Sequence, residues 1–423
     1  MQFRRILLTI ILASLTLAQD SNLKPLNLQE LIDEGLANNP LRQSFYEDIR
    51  VAETLVPQSK SLPDPILSLN LMNLPFENLG FDQEPMSGKQ IMIMQGIPFP
   101  GKLNLKEQIA EFGVDMARNQ YAEETNALTK NIIKTYYDLF FVDEAISTVN
   151  KNRQLLSEFL KVAEQKYAVG KGLQQDVLKA QVQLSLMTEK IINFQQKREI
   201  IKTNLNQLLN RPIDGSMGPT QKPHFKSIST QYAELIEIAE AKRPVLLAWQ
   251  NRVRRSEKKI DLARKNLFPD LAITASYTQR DILQSGMGGA DFLSTGISLN
   301  LPIYARSKQK QHIAETQIEV KGLQERYESV QQKVYQDINN GLTELNNNAE
   351  LLELYRTGIV PQAAQSLESS LTGYQTDKVD FLTLISSELT LFNLELEHLR
   401  LLSAYQINIA ELEFTIGASL PGN

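Results

Sequence analysis

The chain has 423 residues, with 44 Lys and Arg against 49 Asp and Glu, and no cysteine. That excludes disulfides, thiolate catalysis and Cys-based metal sites. The mildly acidic balance, without a basic patch interleaved with aromatics, argues against nucleic-acid binding.

The opening MQFRRILLTIILASLTLAQ sets Arg4 and Arg5 before an apolar run, Ile6 to Leu12, and then small residues ending at Ala18. This three-part order predicts a secretory signal over residues 1–18; the run is far shorter than the roughly 20 residues of a spanning helix. Removing it leaves 42 basic against 49 acidic residues, a net charge of -7.

The remaining elements come twice, in the same order, about 205 residues apart. LQELIDEGLANNPLRQSF from Leu28 is echoed by YAELIEIAEAKRPVLLAW from Tyr232, with Pro40 matching Pro244. SLPDPILSLNL matches NLFPDLAITASY, and GIPFPGKLNLKEQIAE matches NLPIYARSKQKQHIAE. The reading is therefore two tandem repeats, residues 19–209 and 231–417, with a linker rich in Pro, Gly and Ser at 210–230 and a short tail at 418–423.

Each repeat holds two strands, near 65–74 and 89–98 and again near 270–280 and 291–301. Leu67, Leu69 and Leu71 alternate with Ser68 and Asn70, and Leu293, Thr295, Ile297 and Leu299 with Ser294, Gly296 and Ser298. Near Gln90 to Ile97 both faces are apolar. Period two over about ten residues is the pattern of an outer-membrane barrel strand. Four strands cannot close a barrel in lipid, so several chains must share one, two giving about eight strands or three about twelve.

Each repeat also holds long helices. Leu128, Ile132, Leu139, Val142, Ile146 and Val149 form a narrow seam, as do Val320, Leu323, Val334, Ile338 and Leu345; such seams predict coiled-coil packing. No proline interrupts Leu103 to Ala168, enough helix for roughly 100 Å. The helical rhythm breaks at YAVGKGLQQDVL from Tyr167 and at YQTDKVDFLTL from Tyr374. Both read as hairpin tips, 167–176 and 374–380. Gly170 and Gly172 supply the left-handed backbone that ends a helix, and Asp residues just beyond cap the next one.

Enzymatic chemistry finds no support in the sequence. His224, His312 and His398 lack a second metal ligand at helical spacing, Gly286-Met287-Gly288-Gly289 joins two strands instead of opening a helix, and no catalytic triad order or Lys-bearing phosphate loop stands out. Neither a cofactor nor a bound metal is expected.

From about Leu26 to Gly417 the chain resembles the TolC-like outer-membrane efflux proteins. The resemblance rests on the duplicated order, on Pro98-Phe99-Pro100-Gly101-Lys102 opening the long helix, and on the two tips. It implies a mainly α fold with a small β part: a trimeric 12-stranded outer-membrane β-barrel continued by a periplasmic α-helical barrel. It further implies a passive exit duct working with a periplasmic adaptor and an inner-membrane transporter of RND or ABC type, with outer-membrane lipid around the barrel. The Pro63-Asp64-Pro65 and PFPGK segments look most like members that accompany heavy-metal cation exporters.

The resemblance places docking and gating at the tips: Gly170, Lys171, Gly172 and Asp176 in the first, Tyr374, Asp377, Lys378 and Asp380 in the second. Val379 stands where the family has a latch arginine, and Thr383 and Ser386 where it has constriction carboxylates, so Lys378 and Asp380 are the candidate replacements. The readings it competes with are a periplasmic adaptor, which would show one helical hairpin flanked by soluble β domains, and a coiled-coil structural protein of the envelope, which would not need the matched strand pairs.

Overall fold

A computed structural model describes residues 24–421; the expected secretory signal at 1–18 lies outside them. In the first repeat the elements are α1 (Leu28–Asn38), α2 (Pro40–Lys60), β1 (Ile66–Met72), β2 (Gly88–Ile97), α3 (Lys102–Ala168) and α4 (Gln174–Leu208). The second repeats them as α5 (Tyr232–Lys242), α6 (Pro244–Lys265), β3 (Leu271–Gln279), β4 (Phe292–Leu299), α7 (Gln309–Leu354), α8 (Val360–Gln375) and α9 (Phe381–Ile416). Pro40 and Pro244 each open a helix, where the missing N–H has no partner to lose.

The second long helix departs from the first. Between α7 and α8, Tyr355–Ile359 forms a π turn, in which Val360 N–H donates to the Tyr355 carbonyl. Pro361 explains it: proline has no N–H for the ladder and its ring crowds the carbonyl four residues back, so the helix widens locally and then resumes. The first repeat has no proline in α3 and no such turn.

The described chain divides into two compact units, each drawing on both repeats. One comprises 24–45, 121–244 and 331–421, the other 46–120 and 245–330. In the first unit, Val149, Leu156, Phe159 and Ala163 of α3 pack with Ala180, Met187 and Ile191 of α4 and with Phe381, Leu384, Ile385 and Phe392 of α9. A second cluster joins Leu128, Ile132, Tyr136 and Leu139 to Leu31, Leu205, Leu209 and Met217. The buried stripe of α3 is wider than the seam expected from sequence. Tyr136, Phe140 and Ala145 are as buried as the seam positions, because α3 meets partners on more than one side.

Segment 210–230 has no regular secondary structure but is tied down. Met217 and Ile228 are buried, Tyr405 Oη donates to the Lys226 carbonyl (2.9 Å) and accepts from Ile228 N–H (3.1 Å), and Gln221 N–H donates to Tyr136 Oη (3.0 Å).

The other unit contains an antiparallel sheet in the order β1-β2-β3-β4, so the repeats meet where β2 pairs with β3. Below that pairing the two proline motifs interlock. Phe99 stacks on Phe268 with centroids 4.6 Å apart. Asp270 accepts from Phe99 N–H and from Lys102 Nζ, both at 2.7 Å, and Lys102 Nζ also donates to the Phe268 carbonyl at 3.2 Å. The Lys102 side chain is 6% exposed, that of Asp270 42%. Asp270→Ala strands the ammonium. Since Asp270 is partly solvated, the expected loss is about 2 kcal/mol, below the roughly 3–5 kcal/mol of a fully buried pair. Thermal unfolding measures it, and Asp270→Asn should recover part.

Candidate functional site

Two features stand out, one in each unit. The first is the sheet. Its register aligns Leu67, Leu69, Ile91, Ile93, Ile273, Tyr277, Leu293, Ile297 and Leu299 on one face. Nothing among the described residues covers them: Leu69 is 74% exposed, Leu293 78% and Ile297 72%. The opposite face carries Ser68, Asn70, Gln90, Ser276 and Thr278, interrupted by Ile66, Met92, Met94 and Phe292. There Asn70 donates to Gln90 Oε1 (3.1 Å), and the Gln90 amide lies 3.4 Å from Ser276 Oγ and 3.3 Å from Thr278 Oγ1, a polar ladder over three strands. Among the described residues the outer edges of β1 and β4 have no strand partner. No described helix is long and apolar enough to cross a membrane. Gly286, Gly288 and Gly289, all at positive φ, turn the chain from β3 to β4 as a hairpin loop.

The second feature is the pair of hairpin tips. Helix α3 ends at Ala168 and α4 begins at Gln174; α8 ends at Gln375 and α9 begins at Phe381. Both turns use one design. In the first, Lys171 and Gly172 N–H donate to the Lys166 carbonyl at 2.8 and 3.0 Å, with Gly170 left-handed at φ 72°. In the second, Lys378 and Val379 N–H donate to the Gly373 carbonyl at 2.8 and 3.3 Å, with Asp377 left-handed at φ 57°. Asp is among the few side chains that tolerate this region.

Gly172 corrects its sequence-based role. Its φ is not positive; instead a Cβ there would stand 3.0 Å from Lys166 Cβ and from the Tyr167 nitrogen. In the second tip the small residue has changed places: a Cβ on Gly373 would stand 2.6 Å from Val379 Cγ2. Each tip thus needs one glycine where the chain crosses itself, at opposite members of the pair. Val379 occupies the space that Gly373 leaves.

The expected capping holds for one aspartate only. Asp380 accepts from Thr383 N–H at 2.8 Å and caps α9, which holds its carboxyl below the usual range. Asp176 is no cap: it lies in the first turn of α4, whose N-cap Leu173 has no side-chain bond. Its negative charge is nonetheless favoured at a helix N-terminus.

Seven of the eight predicted tip residues line one open cleft of about 700 Å³: Lys171, Gly172, Asp176, Tyr374, Asp377, Lys378 and Asp380. Gly170 lies outside it. Thr383 and Ser386, at the expected constriction positions, stand on the first two turns of α9.

Sequence reasoning missed Lys166, which joins the two tips. Its Nζ is 2.5 Å from Asp377 Oδ1 and 2.5 Å from the Tyr374 carbonyl, and 4.3 Å from the Tyr374 ring centroid. That contact lowers the Asp377 carboxyl below its ordinary value, while burial, then Asp176 and Asp377, raise the Tyr374 phenol. The Tyr374 hydroxyl is buried without a hydrogen bond. The one available signal was the exchange of Lys166 for Gly373 at matched positions. Lys166→Met should loosen the tips, seen as faster amide exchange over 166–176 and 374–381, while Lys171→Met, which removes an exposed ammonium, should not.

A strand set open on its apolar face and at both edges, with polar residues opposite, defines a segment of an outer-membrane barrel. Residues 88–211 and 235–418 match the profile of the family described as outer membrane efflux protein. The chain belongs to that family. It is 23% identical to the outer membrane efflux protein BepC of Brucella suis over 56% of this chain and 51% of that one, so it spans only about half of that relative. It is 17% identical to the cobalt-zinc-cadmium resistance protein CzcC of Cupriavidus metallidurans over 89% and 87% of the two chains. The solved outer membrane protein VceC of Vibrio cholerae superposes with a TM-score of 0.78 at 16% identity, over 93% of this chain and 96% of that one, which shows the shared fold. By family the chain is an outer membrane efflux protein, and its fold is that of VceC.

Proposed function

We propose that three copies form the exit duct of a tripartite efflux system, each contributing four strands to a twelve-stranded barrel, and that the duct passively exports small molecules or metal cations. The observation that carries this is the sheet: an uncovered apolar face and two open edges have no stable place in water, but suit a barrel wall built from several chains. A periplasmic adaptor would not expose such a face. Fractionation tests the reading: the chain should remain with the outer membrane, and on mild gels run as a heat-labile species of three times the monomer mass. Recovery with soluble periplasm contradicts it.

The tips are the proposed docking and gating end, where a periplasmic adaptor and an inner-membrane transporter of RND or ABC type would engage. Lys166, Lys171, Lys179 and Lys378 alternate there with Asp176, Asp377 and Asp380, so the cleft offers both signs of charge to a partner. Three copies of Asp380 would form a carboxylate ring that biases conduction toward cations. Asn caps a helix about as well as Asp, so Asp380→Asn removes the charge and keeps the tip. Single-channel recordings should show reduced cation selectivity; unchanged selectivity removes the ring. Likeness to CzcC over most of both chains favours divalent metal cations as cargo; zinc sensitivity of a deletion strain tests this.

A further inference from the structure

The barrel edges carry more information than their openness, because the duplication supplies a template for closing them. Within the chain, β2 of the first repeat pairs with β3 of the second in a fixed register, Met94 opposite Thr274, Ile93 opposite Ala275 and Gln95 opposite Ile273. Just below, Lys102 binds Asp270 at 2.7 Å. Matching of the repeats sets Pro98 on Pro302, hence Met94 on Ser298 and Lys102 on Arg306; it also sets Pro63-Asp64 on Pro269-Asp270, hence Ser68 on Thr274.

The strand pair of the second repeat leads out through β4 and Arg306, for which the described residues hold no following copy of Asp270 and β3; that of the first leads in through Asp64 and β1, for which they hold no preceding copy of β2 and Lys102. Asp64 and Arg306 are both exposed and neither forms an ion pair within the described residues. They cannot be joined inside one sheet, since β1 and β4 are its opposite edges, three strand spacings or roughly 14 Å apart.

Resting on the trimer reading above, we propose that β4 of one copy pairs with β1 of the next in the register that β2 and β3 use, and that Arg306 binds Asp64 of the neighbouring copy as Lys102 binds Asp270. Ser298 then faces Ser68 of the neighbour, Ile297 faces its Leu69 and Leu299 its Leu67. Apolar meets apolar on the outer face, and small polar meets small polar on the inner one. A one-residue slip would set Ile297 opposite Ser68 and mix the faces. The α7 helix begins at Gln309, so Arg306 lies in the turns before it, whereas Lys102 is the first residue of α3. The long guanidinium side chain and its fork of donors suit a carboxylate reached across a subunit boundary.

The absence of native cysteine makes the register directly readable. In Ser68→Cys/Ser298→Cys, full-length protein oxidised in outer membranes should migrate as covalent trimer on denaturing gels, with each single variant monomeric. Ser68→Cys/Ser294→Cys, displaced by four residues or roughly 13 Å along the strand, should give no bond. Intact trimers that bond through 68–294 and not 68–298, or through neither, overturn the register. If the unaltered protein forms no trimer, the underlying reading fails as well. For the ion pair, Asp64→Arg and Arg306→Asp should each lower the temperature at which trimers dissociate, and the double exchange should restore it. A double variant weaker than either single overturns the pairing.

Discussion

Leu69→Arg is expected to prevent stable insertion, while Ser276→Arg on the opposite face leaves the trimer in the outer membrane. Leu69 is 74% exposed on the apolar face, and an arginine near the middle of a barrel's lipid-facing band costs about 2–4 kcal/mol. Three copies carry that penalty at once in a trimer, so the effect should exceed that of the same substitution on the polar face. Ser276 lies on the face with Gln90 and Thr278, where water rather than lipid would receive the guanidinium. The abundance of heat-labile trimer in outer-membrane fractions measures both. Equal loss from the two variants would contradict the assignment of faces, and equal tolerance would place neither face in lipid.

Glu388 should make the helical unit more stable in mild acid than in base. The residue is fully buried on α9 among apolar neighbours, and among the described residues neither carboxyl oxygen meets a donor at good hydrogen-bond geometry, the Asn152 side chain being close but poorly aligned. Burial pushes its pKa up to about 7, Asn152 opposing the rise and Glu395 adding to it. Because the folded value lies above the unfolded one of 4.5, the folded state holds the extra proton between the two. The contribution of Glu388 to stability is therefore full below about pH 4.5 and is lost as pH rises through 7. The difference corresponds to about 3 kcal/mol at pH 8. Asn152 Oδ1 is also buried without a donor, and a protonated Glu388 or an introduced glutamine can supply one. Glu388→Gln should accordingly unfold at higher temperature than the parent at pH 8, match it near pH 5, and show a flatter pH profile. Parallel profiles for the two proteins would place the titration elsewhere.

What could be read from the sequence was whatever repeats or alternates. The strands announced themselves by period two, with Leu67, Leu69 and Leu71 on one side of Ser68 and Asn70; the long helices by their apolar seam; the tips by occurring twice. Features that depend on one residue meeting another far along the chain were not legible. Lys166 is an ordinary lysine in the last turn of a helix until Asp377 and Tyr374 are beside it. Glu388, Glu395 and Glu397 share α9, and nothing local distinguishes the fully buried one. Gly172 looked like a second left-handed turn residue because only the fold shows Lys166 Cβ so close. The π turn before Pro361 is intermediate: proline inside a helical run was a visible signal, but its remedy was not, since Pro57 sits inside α2 without a widened turn.

A barrel wall shared among three copies should be visible by electron cryomicroscopy of the outer-membrane protein in lipid nanodiscs. The expected image is a ring of twelve strands, four from each copy, with Leu69, Leu293 and Ile297 turned to lipid and Ser68 and Ser276 to the lumen. A single copy with its sheet packed against other protein, or a ring built from a different number of copies, would contradict it.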